Sequence, residues 1–243
     1  MKTIFTIFFS FLFLHGFSQD ASSIIAKVDA NMNSENRVFE SEMTIHGKRS
    51  SRTITSRTYA EGTKQSFTEY LSPAAEKGTK MLKLEKQLWI YSPSTDRTIQ
   101  LSGHMLRQSV MGSDLSYEDM MDDRKLTEVY NAIVKGEETI DGRKVWKLEL
   151  TAKVEDVSYY SQIMWIDTER YVPLKQELYA RSGKLLKLIE LKDVIKIDGR
   201  WFPSRIVYKD LLKQGEGTEF NFKSIKFNQQ IPEYIFTKAA LKQ

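Results

Sequence analysis

The sequence predicts a mainly β protein with a few helices, its strands joined in an antiparallel meander. Three observations predict it. After residue 36, apolar and polar residues alternate at period two, as in half-buried strands. Short turns separate the alternating runs, among them Asp141-Gly142 and Asp198-Gly199, and Asp-Gly pairs strongly favour hairpins. One segment, residues 102–124, breaks the rhythm with helical signals, and two short helices between strands of a meander belong across an edge or mouth of the sheet.

The elements follow in order. Lys2, the apolar run Ile4–Phe13 and the small residues Gly16 and Ser18 predict a secretory signal peptide over residues 1–18. The run is short for a stable membrane span, an uncleaved anchor being the alternative. The mature chain, residues 19–243, is expected to form one domain that is exported and free in the aqueous compartment, with a single opening helix. Asp20 or Ser22 can cap that helix, and Ile24, Val28 and Met32 recur every four residues beside Ile25. Phe39, Ser41, Met43 and Ile45 then share one face of a strand. Further strands are expected at 52–59, 66–71, 81–84, 88–91 and 98–101, and beyond the interruption at 127–134, 145–152, 159–166, 172–179, 185–195, 201–208 and 218–227. Within the interruption Gly112 can stop a helical turn, and Ser116 can cap a second one with Glu118 and Asp119 in its first turn.

Composition excludes several classes of function. The chain has no cysteine, so disulfides, thiolate metal sites, a cysteine nucleophile and a lipidated N-terminal cysteine are all out. A formal net charge of +4, spread along the chain, suits transient contact with an anionic membrane but not nucleic acid. Past the leader only His46 and His104 remain, with no nucleophile elbow, zinc-binding helix or phosphate loop. The sequence therefore points away from an enzyme, and no cofactor is expected. Asp114, Glu118, Asp119, Asp122 and Asp123 could in principle hold a calcium ion, but helix capping explains most of that group and no metal is expected.

The apolar residues say more. Trp146, Leu148 and Leu150 share a strand face, as do Val172, Leu174 and Leu178, while Phe220 and Phe222 share another that a register shift at Ser224 would extend to Ile225 and Phe227. Periodicity alone fits an ordinary sandwich core as well as a half-barrel cavity. Methionine favours the cavity: Met81, Met105, Met111, Met120, Met121 and Met164 are soft and adaptable, and four of them lie in the interrupting segment. The expected lining of cavity and lid is Met43, Met81, Leu84, Trp89, Tyr91, Leu101, Met105, Leu106, Val110, Met111, Trp146, Leu148, Met164, Leu174, Phe220 and Phe222.

The stretches Leu88-Trp89-Ile90-Tyr91-Ser92-Pro93, Asp96-Arg97-Thr98-Ile99 and Met111-Gly112-Ser113-Asp114-Leu115-Ser116-Tyr117-Glu118-Asp119 resemble the signature of the outer membrane lipoprotein-sorting family, the LolA-like proteins. The resemblance runs from the leading helix to Ile231-Pro232-Glu233-Tyr234-Ile235-Phe236. It implies an unclosed antiparallel barrel with a helical lid, and a hydrophobic cavity that shields lipoprotein acyl chains between an inner-membrane transporter and an outer-membrane acceptor. It also implies an early-strand arginine that holds the lid; Arg52 and Arg57 lie in that region, neither in a matching motif. The expectation is a periplasmic carrier of acylated lipoproteins or free lipids. The alternatives are an accessory or sensor domain that docks a lipid-exporting membrane transporter, its cavity merely a core, and a lipid-modifying enzyme, for which no nucleophile and base are found.

Overall fold

The alternation after residue 36 resolves into strands. The computed structural model describes residues 20–243, so the expected signal peptide lies outside the described residues. Helix α1 (Ala21–Met32) opens the fold, and Asp20 caps it by accepting from the Ser22 N–H at 3.4 Å. Six strands follow: β1 (Asn36–His46), β2 (Ser51–Glu61), β3 (Gln65–Ser72), β4 (Lys80–Leu84), β5 (Gln87–Ser92) and β6 (Arg97–Leu101). The interruption holds two 3-10 turns (Gly103–Arg107 and Val110–Gly112) and the helices α2 (Tyr117–Met121) and α3 (Leu126–Val129). Seven strands complete the sheet: β7 (Tyr130–Ile140), β8 (Arg143–Ala152), β9 (Ser161–Asp167), β10 (Pro173–Tyr179), β11 (Leu185–Ile197), β12 (Arg200–Asp210) and β13 (Gly217–Phe227). Two 3-10 turns (Glu233–Phe236 and Lys238–Lys242) end the chain. No helix among the described residues is long and apolar enough to cross a membrane.

All 13 strands form one sheet in the order β6-β5-β4-β3-β2-β1-β13-β12-β11-β10-β9-β8-β7. Each neighbouring pair is antiparallel, and β1 and β13 join the two meanders at the centre. The sheet does not close: β6 and β7 are its edges. This is the half-barrel expected from the sequence, not a pair of packed sheets. The shift anticipated near Ser224 is present, since Glu40 pairs with Ser224 but Ser41 pairs with Phe222.

One expectation needs correction. Residues 127–129, read as the start of a strand, belong to helix α3. The buried carboxylate of Asp29 in α1 accepts from the Leu126 N–H at 2.8 Å, the Thr127 N–H at 3.0 Å and the Thr127 hydroxyl at 2.8 Å. A cap supplied by another element overrides local strand propensity.

Three clusters cover the sheet. α1 and α3 pack on the inner face of β7–β9, against Trp146, Leu148, Leu150, Met164 and Ile166. The interrupting segment packs on the same face across the other end, against Met43, Ile54, Tyr70, Met81, Leu88 and Leu101. The C-terminal turns cover the outer face of β3–β5, where Phe236, Ala240 and Leu241 meet Phe67, Leu82 and Trp89.

Candidate functional site

Topology positions the lid. β6 and β7 are opposite edges of one sheet, so residues 102–129 must cross the inner face to connect them. The crossing begins with a tight loop. The Val110 N–H donates to the Leu115 carbonyl at 2.9 Å, and the Tyr117 N–H to the Gln108 carbonyl at 3.1 Å. Met111 and Gly112 reverse the chain at φ 49° and 73°, a region that glycine enters freely and methionine only under strain. Ser116 and Asp119 then form a reciprocal capping box at the start of α2.

Polar ties hold the lid down. At the β12–β13 end the Asp114 carboxylate accepts from the Asp210 N–H at 2.9 Å and the Thr218 hydroxyl at 2.7 Å. Lys213 reaches the Ser109 hydroxyl and the Ser113 carbonyl. Mid-lid, Asp119 accepts from the Lys187 ammonium at 2.5 Å and the Tyr159 hydroxyl at 2.6 Å. Burial pushes the Asp119 carboxyl up, but Lys187 and Tyr159 together hold it below the usual carboxylate range. The Tyr159 hydroxyl is raised, by burial and by Asp119. Further along, Lys83, only 3% exposed, donates to the Met121 carbonyl at 2.9 Å and the Asp123 carboxylate at 2.7 Å. There burial outweighs Lys83 and Arg37, and the Asp123 carboxyl is raised. Of the two arginines considered, Arg52 donates to the Met111 carbonyl and lies 3.4 Å from Glu76, whereas Arg57 bonds Glu40 at 2.6 Å on the other face.

A cavity of about 240 Å³ lies between the lid and the first meander. Phe39, Met43, Ile54, Tyr70, Phe220 and Phe222 line it from the sheet, and Val110, Leu115 and Met120 from the lid. Phe222 stacks edge-on against Phe220 at 5.1 Å, Phe39 at 5.2 Å and Phe202 at 5.0 Å. A second pocket of about 250 Å³ extends toward β9–β11, and Leu115, Asp119 and Tyr208 border both.

The expected lining residues divide. Met43, Met81, Leu101 and Val110 are buried together, with Met105, Leu106, Met111 and Phe220 packed against them, and Phe222 lines the cavity. Leu84, Trp89 and Tyr91 lie on the outer face with the C-terminal turns, where Lys238 stacks 4.2 Å from the Trp89 ring. The run 88–91 is apolar at every position, so its alternation could not say which residues point inward. Trp146, Leu148 and Met164 do point inward but are sealed beneath α1. Leu174 sits at a register irregularity between Pro173 and Lys175 and belongs to none of the three clusters. The acidic group is also dispersed. Asp119 caps α2, but Asp114 and Asp123 tie the lid to the sheet and Asp122 bonds Arg124 at 2.7 Å, which capping does not explain. Among the described residues no group of three or more acidic or histidine side chains could hold a metal ion.

A family model described as "Uncharacterized protein" matches residues 62–243. The chain belongs to that family. No curated protein matches it. Its fold is shared with solved structures of three kinds. A DUF1329 family protein from Desulfovibrio piger is 23% identical, with a TM-score of 0.83 over 90% of this chain and 97% of that one. A domain named for outer membrane lipoprotein sorting, from Vibrio parahaemolyticus, is 24% identical, with a TM-score of 0.79 over 92% and 98%. A LolA superfamily protein from Nitrosomonas europaea is 27% identical, with a TM-score of 0.75 over 92% and 100%. The LolA-like resemblance read from the motifs is thus a likeness of the whole fold.

In this LolA-like frame the motif Met111–Asp119 has a physical reading. It holds the chain reversal, the carboxylate that fastens it to β12–β13, and the capping box after it. Sequence reasoning missed the inward cations Arg37, Lys83 and Lys187. The first two were legible, since Arg37 shares the parity of Phe39 and Met43, and Lys83 that of Met81. Lys187 was not, because apolar residues stand on both faces of the strand around it, Leu186 and Leu188 on one and Leu185, Ile189 and Leu191 on the other.

Proposed function

We propose that the chain is an exported, non-enzymatic carrier that takes acyl chains of lipoproteins or related lipids into this cavity and moves them through the periplasm toward the outer membrane. The observation that carries the reading is an apolar, aromatic-lined cavity closed by a segment of the chain itself. Its volume, about 240 Å³, lies below the roughly 300–1,000 Å³ typical of ligand pockets, so the closed form has to open to load. The lid suits that step: small hydrogen bonds and ion pairs hold it, with Arg52 on the Met111 carbonyl at the reversal. Burying about 15 methylenes of one acyl chain gains on the order of 12 kcal/mol gross, and association and ordering costs remove much of it. A shuttle that must also release its cargo needs no more. Its partners would be an inner-membrane donor and an outer-membrane acceptor, met through brief membrane contact.

Native mass spectrometry of the protein purified from a periplasmic extract tests this. Co-purifying lipid or acylated peptide is the expected result. An empty protein would favour a module that docks a lipid-exporting transporter, with the cavity only a loose core.

A further inference from the structure

The inner face carries two cations that an apolar lining does not call for, Arg37 in the cavity wall and Lys83 one strand beyond Ser66. Arg37 on β1 and Lys83 on β4 occupy inward register positions, opposite Ala60 and Ser66, which line the cavity. Arg37 makes one long hydrogen bond, to the Met32 carbonyl at 3.4 Å, and has no ion pair among the described residues. Burial, together with repulsion from Arg200, lowers its proton affinity, while Asp123 acts to raise it. The buried Nε of Arg200 has no partner. Lys83 does have an ionic partner, and the lid supplies it: Asp123, which lines the cavity together with Arg37.

We propose, building on the carrier reading, that Arg37 and Lys83 form a headgroup site for an anionic amphiphile, and that Asp123 of the lid occupies this site while the cavity is closed. Lid opening withdraws Asp123 and leaves two cations against an apolar wall, a costly arrangement without a counter-charge. A carboxylate or phosphate on the end of an acyl chain replaces what the lid removed, with charge-assisted hydrogen bonds to both cations. The ligand therefore binds the open state better than the closed one, and that differential affinity couples loading to lid movement. An acyl chain in ester or amide linkage has no charge to offer. The site thus selects free anionic lipids over fully acylated termini.

The test compares a fluorescent fatty acid, the matched alkyl phosphate and the matched fatty alcohol at pH 8, by titration into the full mature protein. The acid, the phosphate or both should bind about ten-fold tighter than the alcohol, as expected for hydrogen bonds to a charged group. Whichever binds tighter names the headgroup. Lys83→Gln and Arg37→Gln should abolish the preference while leaving alcohol binding in place. Asp123→Asn should widen the preference for the anionic probes over the alcohol, because the resident competitor is gone. Should Arg37→Gln fail to fold, the other two variants still decide. Equal affinity for all three probes in the wild-type protein overturns the headgroup site and leaves the carrier reading standing. So does an Asp123→Asn variant that weakens all three alike, since Asp123 would then be only a structural tie. Failure of every probe to bind overturns the carrier reading, and the site with it.

Discussion

The two halves of the inner face have the same alternating pattern and different contents. Beneath β7–β9 the inward residues are large, Trp146, Leu148 and Leu150 on β8 alone, and α1 lies directly on them. On β2 the inward residues after Ile54 are Ser56, Thr58 and Ala60. Those hydroxyls satisfy one another across strands, Ser41 with Ser56 at 3.0 Å and Thr58 with Thr68 at 2.9 Å, and need no partner from above. Small, self-satisfied side chains leave room, and a lid tied down at its polar points does not fill it. Beneath α1 the face is a core; beneath the lid it is a container.

The largest test of that difference is a pair of truncations. Leu148, fully buried, should cost about 2–5 kcal/mol when replaced by Ala, the usual range for emptying a packed site. Phe222 faces space that already exists and is part-exposed, so Phe222→Ala should cost less than half as much, read from urea midpoints at constant m. Fatty-acid uptake should show the reverse order. Equal destabilisation by the two would mean that the halves are packed alike.

How much of this could be read from the sequence depends on which interaction decides each element. Strands with strict alternation, such as 39–45 and 145–152, were legible because one face is buried and the other wet. The lid was legible as an interruption, and the capping box at Ser116 as local chemistry. α3 was not, since its cap comes from Asp29, nearly a hundred positions away in the sequence. Nor was the division of inward residues into core and cavity. Alternation reports which face a residue is on, and only the packing of α1 shows what covers that face. The small inward residues of β2 were the available signal.

A charge placed in the lid should separate the halves next. Met111→Asp puts a carboxylate against the apolar cluster of Met43, Met81 and Leu101, a burial without a partner. Uptake of a fluorescent fatty acid should fall at least several-fold, with the β-sheet circular dichroism signal largely unchanged. A variant that loses its sheet would make Met111 part of the core, and one that binds normally would remove the segment's role as a lid.

Gly112→Ala probes the same reversal more gently. The glycine has φ +73°, and an added Cβ would come within 3.2 Å of Arg52 Nη2. Left-handed backbone costs an L-residue about 1–2 kcal/mol, and Arg52 has to shift as well. Hydrogen exchange at the Val110 and Tyr117 amides, which close the lid loop, should accelerate about ten-fold or more, while the Leu148 amide under α1 stays protected. Acceleration at all three would mean that lid and core open as one unit.

The smallest effect is a pH dependence confined to the lid. The Asp119 carboxyl lies below its ordinary 3.8, burial being outweighed by Lys187 and Tyr159, so its contribution to closure is complete above 3.8 and is lost as pH falls through the lower closed-state value. Asp123 is raised above 3.8, because burial outweighs Lys83 and Arg37. Its closed form binds the proton more tightly, so its contribution is complete below 3.8 and fades as pH rises through the higher value. Between the raised value and 3.8, acidification should tighten the lid; below 3.8 it should loosen it. The opposite shifts of the two carboxylates set the shape. A fluorescent fatty alcohol, uncharged over the whole range, is the right probe, and its uptake rate should pass through a minimum on the acid side. Asp119→Asn should remove the rise below the minimum, and Asp123→Asn the fall above it. A profile that changes in one direction only in the wild-type protein would show that these two carboxylates do not control closure.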